Sequence, residues 1–173
     1  MGEYPKILVI YYSRTGNTAK IALKIAEILN ADVEKIIDKT NRSGLWGYLK
    51  SGYQAARKRL TDIAEPEHNP AHYDLIIIGT PVWAWTISAP VRTYIYHYWK
   101  QFPKNIAFFA TMGGSGDEKT FHNMQNIIGI SPINTLSVKQ NEISAQTTDS
   151  KIHNFCQDLL EKLHPKQPNN EHK

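Results

Sequence analysis

The sequence predicts an α/β fold of three layers, in which a doubly wound, five-stranded parallel sheet of order 2-1-3-4-5 lies between helices. Continuous apolar runs occur at Ile7 to Tyr12, Leu75 to Thr80 and Ile106 to Thr111, as expected for strands buried on both faces. Each run leads into a loop, and each loop precedes a helical pattern. The 173 residues, 41% hydrophobic and 21% charged, are ordinary for one globular domain.

The helix after the first strand is predicted from apolar residues at helical spacing, which are Ile21, Ile25, Ile28 and Leu29. Its first turn must point out of the carboxyl end of the strand, where ligands bind in open α/β sheets. Val33 to Ile37 is predicted to be the second strand, at an edge of the sheet.

Local signals place the remaining elements. Ser88 and Pro90 mark the start of one helix, and another begins near Asp117. The fifth strand is expected at Thr135 to Val138, and the last helix runs from about Asp149 to Leu163. We therefore expect a single domain over residues 1–164 and a disordered polar tail over 165–173.

The loop Ser13-Arg14-Thr15-Gly16-Asn17-Thr18 joins the first strand to the first helix and predicts a phosphate site. Its hydroxyls, Asn and Gly offer side-chain donors, backbone N–H groups and a helix N-terminus to one anion. A nucleoside-triphosphate loop would need Lys where Asn17 stands. A cysteine phosphatase would need a thiolate here, but the only cysteine, Cys156, lies in the last helix. The loop is expected to bind a phosphate monoester without cleaving it; the alternative is an ordinary turn.

Two further loops leave the sheet at the same end. They are Pro81-Val82-Trp83-Ala84-Trp85-Thr86 and Thr111-Met112-Gly113-Gly114-Ser115-Gly116. In the predicted strand order the first, third and fourth strands are neighbours, so the three loops should converge on one crevice.

In order and spacing the three loops resemble the phosphate loop and the two isoalloxazine loops of the flavodoxin family, over roughly residues 6 to 163. The resemblance implies a short-chain, flavodoxin-like fold that binds FMN noncovalently. It further implies that residues 13–18 hold the FMN phosphate and that residues 81–86 and 111–116 flank the flavin ring. Trp83 or Trp85 would supply an aromatic wall, the alternative being that both fill the core.

The excess positive charge is concentrated in one segment of the chain. Net charge is +4, but residues 39–59 hold Lys39, Arg42, Lys50, Arg57, Lys58 and Arg59 without any acid. Fourteen basic residues against sixteen acids remain elsewhere, a balance of −2. Carrier flavodoxins are acidic around the flavin, so this segment suggests an anionic ligand or an acidic partner. A solvated basic helix is the alternative, and nucleic-acid binding is a weaker one.

Two features of the ring loops favour two-electron chemistry. Residues 82–85 contain neither Gly nor Asn, so a backbone flip beside the flavin would be costly. Asp117 is the only acid that the sequence places near these loops, which favours a higher flavin potential. We expect an oxidoreductase that reduces quinones or similar small acceptors with NAD(P)H. The alternative is a non-enzymatic electron carrier between redox protein partners.

Other residues predict little chemistry. No catalytic residue is assigned, and no metal site is expected because Pro70 separates His68 from His72. Cys156 is expected to be a core residue. With no basic-then-apolar leader and no stretch near ~20 apolar residues, a cytoplasmic protein without a membrane span is the expectation.

Overall fold

The computed structural model describes residues 4–40 and 59–163. Its parallel strands, in the spatial order β2-β1-β3-β5-β6, are β1 (Ile7–Tyr11), β2 (Asp32–Lys35), β3 (Leu75–Trp83), β5 (Asn105–Met112) and β6 (Asn134–Lys139). A short strand, β4 (Thr86–Ile87), pairs antiparallel with the end of β3. The predicted doubly wound sheet is confirmed, and β4 is an additional hairpin strand that was not predicted.

Four helices of the described residues cover the sheet: α1 (Asn17–Leu29), α2 (Ala89–Tyr98), α3 (Asp117–Ile128) and α4 (Gln146–Leu163). Successive side chains of a strand point to opposite faces, so β1 contributes to two cores. Val9 packs on one face with α1 and α4, whereas Ile10 packs on the other with α2 and α3. The helices thus form two outer layers, and the central strands are buried.

Several element boundaries differ from the expectation; among them, β3 continues to Trp83 instead of ending at Thr80. β2 ends at Lys35 although its predicted range reached Ile37; the Ile36 N–H still donates to the Tyr11 carbonyl at 2.8 Å. α4 begins at Gln146 instead of about Asp149, because its first turn is polar and carries no helical periodicity. The predicted tail at 165–173 and most of the basic segment, residues 41–58, lie outside the described residues.

Gly79 of β3 shows how tightly β3 and β5 pack against each other. A Cβ placed there would lie 1.9 Å from Cζ of Phe109, a neighbour in β5 that is fully buried. The missing side chain is therefore the space that the Phe109 ring fills. This packing holds β3 and β5 in register immediately before both strands reach their loops.

Within residues 4–40 and 59–163, no helix has the length and apolar character needed to cross a membrane.

Candidate functional site

The loop from Ser13 to Thr18 ends on an open helix N-terminus. α1 begins at Asn17, directly after Gly16, whose φ of 91° is left-handed. The first intrahelical bond is donated by the Lys20 N–H to the Gly16 carbonyl at 3.0 Å, so three N–H groups, at residues 17–19, have no acceptor within the helix. No acidic side chain lies in the first turn to compete for them. This end of α1 can therefore receive an anion.

The rest of that loop is shaped by one internal bond. The Gly16 N–H donates to Ser13 Oγ at 3.1 Å, which leaves the Ser13 O–H free to donate elsewhere. Thr15 is exposed, and a Cβ placed on Gly16 would meet nothing within 4 Å. The outer side of the loop is thus open, with Arg14 and Asn17 half-buried at its margins.

Thr18 differs from the other residues of this loop, because its side chain turns inward. Its hydroxyl lies 2.7 Å from the hydroxyl of Thr111, the first residue of the third loop, and both side chains are buried. The hydroxyl bond joins the first loop to the third. Thr18 can offer its backbone N–H at the helix end, but its side chain serves the connection.

The second predicted loop, residues 81–86, is a β-hairpin. β3 continues to Trp83, and the chain returns through β4 with Trp83 opposite Thr86. Ala84 and Trp85 form the two-residue turn with φ of 47° and 57°. Positive φ at both positions is the type I′ geometry, which favours Asn-Gly. Each non-glycine residue in this region costs about 1–2 kcal/mol.

The two tryptophans of this hairpin have different environments. Trp83 is half-buried, with its ring edge-on to Tyr12 at a centroid distance of 5.6 Å. Trp85, at the turn, keeps 63% of its surface exposed. The hairpin thus presents Trp85 as the accessible aromatic surface and uses Trp83 as packing. The strained turn fixes this difference, which the sequence alone left open.

The third loop carries three exposed residues, Gly113, Gly114 and Ser115. A Cβ on either of the first two glycines would meet nothing within 4 Å, so the backbone there faces open space. Gly116, with φ of 110°, contacts the hairpin: a Cβ there would lie 3.0 Å from Trp85 Cδ1 and 3.0 Å from Val82 Cγ1. The third loop is therefore in contact with the second as well as the first.

These contacts bring the predicted loops together at the carboxyl ends of β1, β3 and β5, and the space between them is called the cleft below. Exposed or half-buried positions line it at residues 13–17, 81–85 and 113–116. Four of the predicted site residues have buried side chains, namely Thr18, Thr86, Thr111 and Met112. The cleft combines an uncapped helix N-terminus with the exposed indole ring of Trp85 and the open backbone of Gly113 and Gly114.

A family model described as flavodoxin matches residues 6–158. The chain belongs to the flavodoxin family. The match spans all three loops and every strand of the parallel sheet, so the membership rests on the whole domain.

Solved structures place this flavodoxin-family chain among flavoproteins by fold. A Lactobacillus acidophilus NCFM flavoprotein in complex with FMN has a TM-score of 0.69 and 21% identity, covering 87% of this chain and 98% of its own. Oxidised Flavodoxin 2 from Bacillus cereus has a TM-score of 0.59 and 18% identity, and the match covers 91% of this chain and 99% of that one. A WrbA-like flavodoxin from Agrobacterium tumefaciens has a TM-score of 0.56 and 16% identity, and the match covers 90% of this chain and 95% of that one. None of the curated proteins matches the chain.

A buried hydrogen-bonded cluster beside the second loop was not predicted from the sequence. Behind the hairpin, Arg92 of α2 donates from Nη2 to Thr86 Oγ1 at 3.0 Å, and Asn123 of α3 donates from Nδ2 to the same oxygen at 2.9 Å. Arg92 is only 5% exposed. An arginine inside the apolar helix segment from Ala89 to Ile95 was the available signal, because charged residues are rarely fully buried.

Acidic groups near the cleft are engaged or exposed. Asp117 accepts a hydrogen bond from the Ser137 hydroxyl, and Glu118 lies beside it in the first turn of α3. Asp117 was expected to be the only acid near these loops, and Glu118 is a second one. Of the basic segment, Lys39 and Arg59 are described, and Lys39 pairs with Asp62 at 3.6 Å. Arg42, Lys50, Arg57 and Lys58 lie outside the described residues.

The remaining reactive groups lie in structural positions. Burial raises the pKa of the Cys156 thiol to about 12, which keeps it protonated. His68 Nδ1 lies 2.9 Å from the carboxylate of Glu34, which also accepts from the backbone N–H groups of residues 67 and 68. Across the described ranges, no three His, Cys, Asp or Glu side chains cluster as metal ligands do.

Proposed function

We propose that this protein binds FMN noncovalently in the three-loop cleft and acts as an oxidoreductase on small acceptors. The observation that carries the proposal is that the open N-terminus of α1 and an exposed indole ring lie at the same end of the sheet, because FMN combines a phosphate with a flat aromatic ring system. When bound, FMN would supply hydride and single-electron chemistry that side chains lack. The protein's own residues would bind, orient and shield it.

The phosphate fits the first loop. A phosphate monoester is a dianion near neutral pH, and the loop offers three free helix N–H groups, the Ser13 hydroxyl and the exposed Thr15 hydroxyl. Hydrogen bonds to charged groups contribute about 1.5–3 kcal/mol each. The absence of acids from the first turn of α1 removes the principal source of repulsion.

The ring system fits the other two loops. Trp85 offers an exposed face for stacking, which contributes about 1–3 kcal/mol by analogy with bases on aromatic side chains. Gly113 and Gly114 leave their backbone open, so a flat ring could approach their N–H groups without meeting a Cβ. Residues 13–18 would hold the phosphate end, and residues 81–86 and 111–116 the ring.

For the reaction, we propose NAD(P)H as electron donor and a quinone or related small molecule as acceptor. The exposure of Trp85 and of residues 113–115 supports this choice, since both leave a bound ring open to small molecules. Membership of the flavodoxin family favours the second candidate, an electron carrier that docks on redox proteins. A cytoplasmic location fits either role and stays a prediction.

To test flavin binding, purified protein from which any bound flavin has been removed is titrated with FMN and with riboflavin. Binding is measured by fluorescence quenching. FMN should bind far more tightly, because riboflavin lacks the phosphate. Thr15→Ala should weaken FMN binding about 10- to 100-fold, the equivalent of about 1.5–3 kcal/mol, and leave riboflavin binding unchanged. Thr135→Ala is the matched control, an exposed threonine at the start of β6, the opposite end of the sheet. Equal affinities for FMN and riboflavin would refute the phosphate assignment.

Enzyme and carrier are separated by kinetics of the FMN-loaded protein. Steady-state oxidation of NADH and NADPH is measured with a soluble quinone. Turnover that depends on bound FMN supports the oxidoreductase. Inertness toward both nucleotides, with rapid electron exchange to a reduced redox protein, supports the carrier and rejects the first proposal.

A further inference from the structure

Arg92 is a buried cation behind the hairpin of the second loop. It lies in the first turns of α2, and its backbone N–H donates to the Ser88 carbonyl at 3.0 Å. The guanidinium is bonded to Thr86 Oγ1 through Nη2, while its Nε is buried without a hydrogen-bond partner. A guanidinium in such a site keeps its charge, because arginine does not deprotonate in proteins.

Among residues 4–40 and 59–163, no acidic side chain forms an ion pair with this charge. Residues 41–58, outside that part, contain no Asp or Glu. Burial lowers the pKa of Arg92, and no carboxylate within the described part of the chain opposes that effect. Buried charges in proteins are normally paired, so an unpaired one beside a ligand cleft indicates a charge that the ligand itself supplies.

Thr86 connects this charge to the hairpin of the second loop. Its oxygen accepts hydrogen bonds from both Arg92 and Asn123, so its own O–H proton must point away from both donors. The described residues provide no acceptor for that proton. Thr86 lies opposite Trp83 in the hairpin, adjacent to the turn that exposes Trp85. The hairpin thus carries a polarised hydroxyl donor backed by a positive charge.

We propose that Arg92, acting through Thr86, stabilises the negative charge of reduced FMN and so raises the midpoint potential of the cofactor. The inference rests on the proposed binding of FMN. Uptake of two electrons and one proton leaves one negative charge on the flavin ring, whereas the oxidised ring is neutral. A fixed cation in a site of low dielectric favours the charged form over the neutral one. Arg92 is on this account a positioning and tuning residue without direct contact to the acceptor.

The test is an equilibrium reductive titration of the FMN-loaded protein against a reference dye, with Arg92→Met, Arg92→Gln, Arg92→Lys and Lys104→Met. Methionine removes the charge at similar volume, glutamine removes it but keeps a donor for Thr86, and lysine retains it. Lys104, exposed just before β5 at the far end of the sheet, controls for the change in net charge. The affinity for oxidised FMN and the thermal stability of the flavin-free protein are measured in parallel.

Both neutral variants should weaken binding of reduced FMN relative to oxidised FMN about tenfold or more, a fall of at least about 30 mV for a two-electron couple. The midpoint potentials of Arg92→Lys and Lys104→Met should stay near that of the parent protein. The fall in potential of the neutral variants should persist at high salt, because a buried charge is poorly screened. Unchanged potentials in both neutral variants overturn the proposal. So does an equal fall in either control, or loss of oxidised FMN from both neutral variants. A parent protein without flavin absorbance is a different failure, that of FMN binding itself.

Discussion

Removing the hydroxyl of Thr18 tests whether the bond between the first and third loops contributes to the fold. Thr18 Oγ1 and Thr111 Oγ1 are 2.7 Å apart, and their exposed fractions are 2% and 5%. Thr18→Val keeps the shape of the side chain but leaves the Thr111 hydroxyl buried and unpaired. An unsatisfied buried hydroxyl costs about 1–3 kcal/mol, so each single valine variant should lose that much unfolding free energy.

The double variant, Thr18→Val with Thr111→Val, provides the sharper test. Both partners become apolar, no hydroxyl remains unpaired, and valine suits the buried β5 position. The double variant should therefore lose less unfolding free energy than either single variant, which corresponds to a coupling energy of about 1–3 kcal/mol.

The assay is urea unfolding of the flavin-free protein, followed by far-ultraviolet circular dichroism. A loss of 1 kcal/mol lowers the melting temperature by about 2–4 °C in a chain of this size. Thr18→Val with Thr93→Val is the control pair, since Thr93 is buried in α2 on the other face of the sheet. The losses of unfolding free energy of these two variants should add to within about 0.5 kcal/mol. Additive losses at Thr18 and Thr111 would refute the reasoning.

Three further predictions concern strain, burial and pH. Ala84→Gly should raise the unfolding free energy by about 0.5–1 kcal/mol, since glycine removes the cost of the φ of 47°. The control, Ala71→Gly in the 3₁₀ turn Pro70–His72, should lower the unfolding free energy. If urea unfolding shows no gain for Ala84→Gly, the hairpin turn is unstrained. Cys156 should resist a thiol reagent at pH 8 until the protein unfolds, because burial raises its pKa to about 12, and rapid labelling of the native protein would contradict this. Burial and the hydrogen bond to Asp32 raise the pKa of Tyr73 from 10.0 to about 12, so its stabilisation is complete below pH 10 and falls as pH approaches 12. Tyr73→Phe should flatten this alkaline decline, and an identical pH profile would count against it.

Most of the fold was predictable because its signals are local. The runs of β1, β3 and β5 are apolar without interruption, as strands buried on both faces must be, and α1 carries one apolar face. The hairpin strand β4 was not predictable, because Ala84-Trp85 has none of the residues that favour a type I′ turn. Local preference pointed to an ordinary loop, whereas in the structure β4 pairs with β3 and the turn lies against Gly116.

For the candidate site, the sequence by itself determined which loops leave the sheet together and that the first suits a phosphate, since strand, loop and helix N-terminus are adjacent in the chain. Tertiary structure alone decided the roles within them: Thr18 bonds to a residue 93 positions away, Trp85 is exposed while Trp83 is packed, and Arg92 meets Asn123 at Thr86. Each of these outcomes depends on contacts between elements far apart in sequence. Hydrophobic periodicity reports which face of an element is buried, but not which side chain on another element it meets.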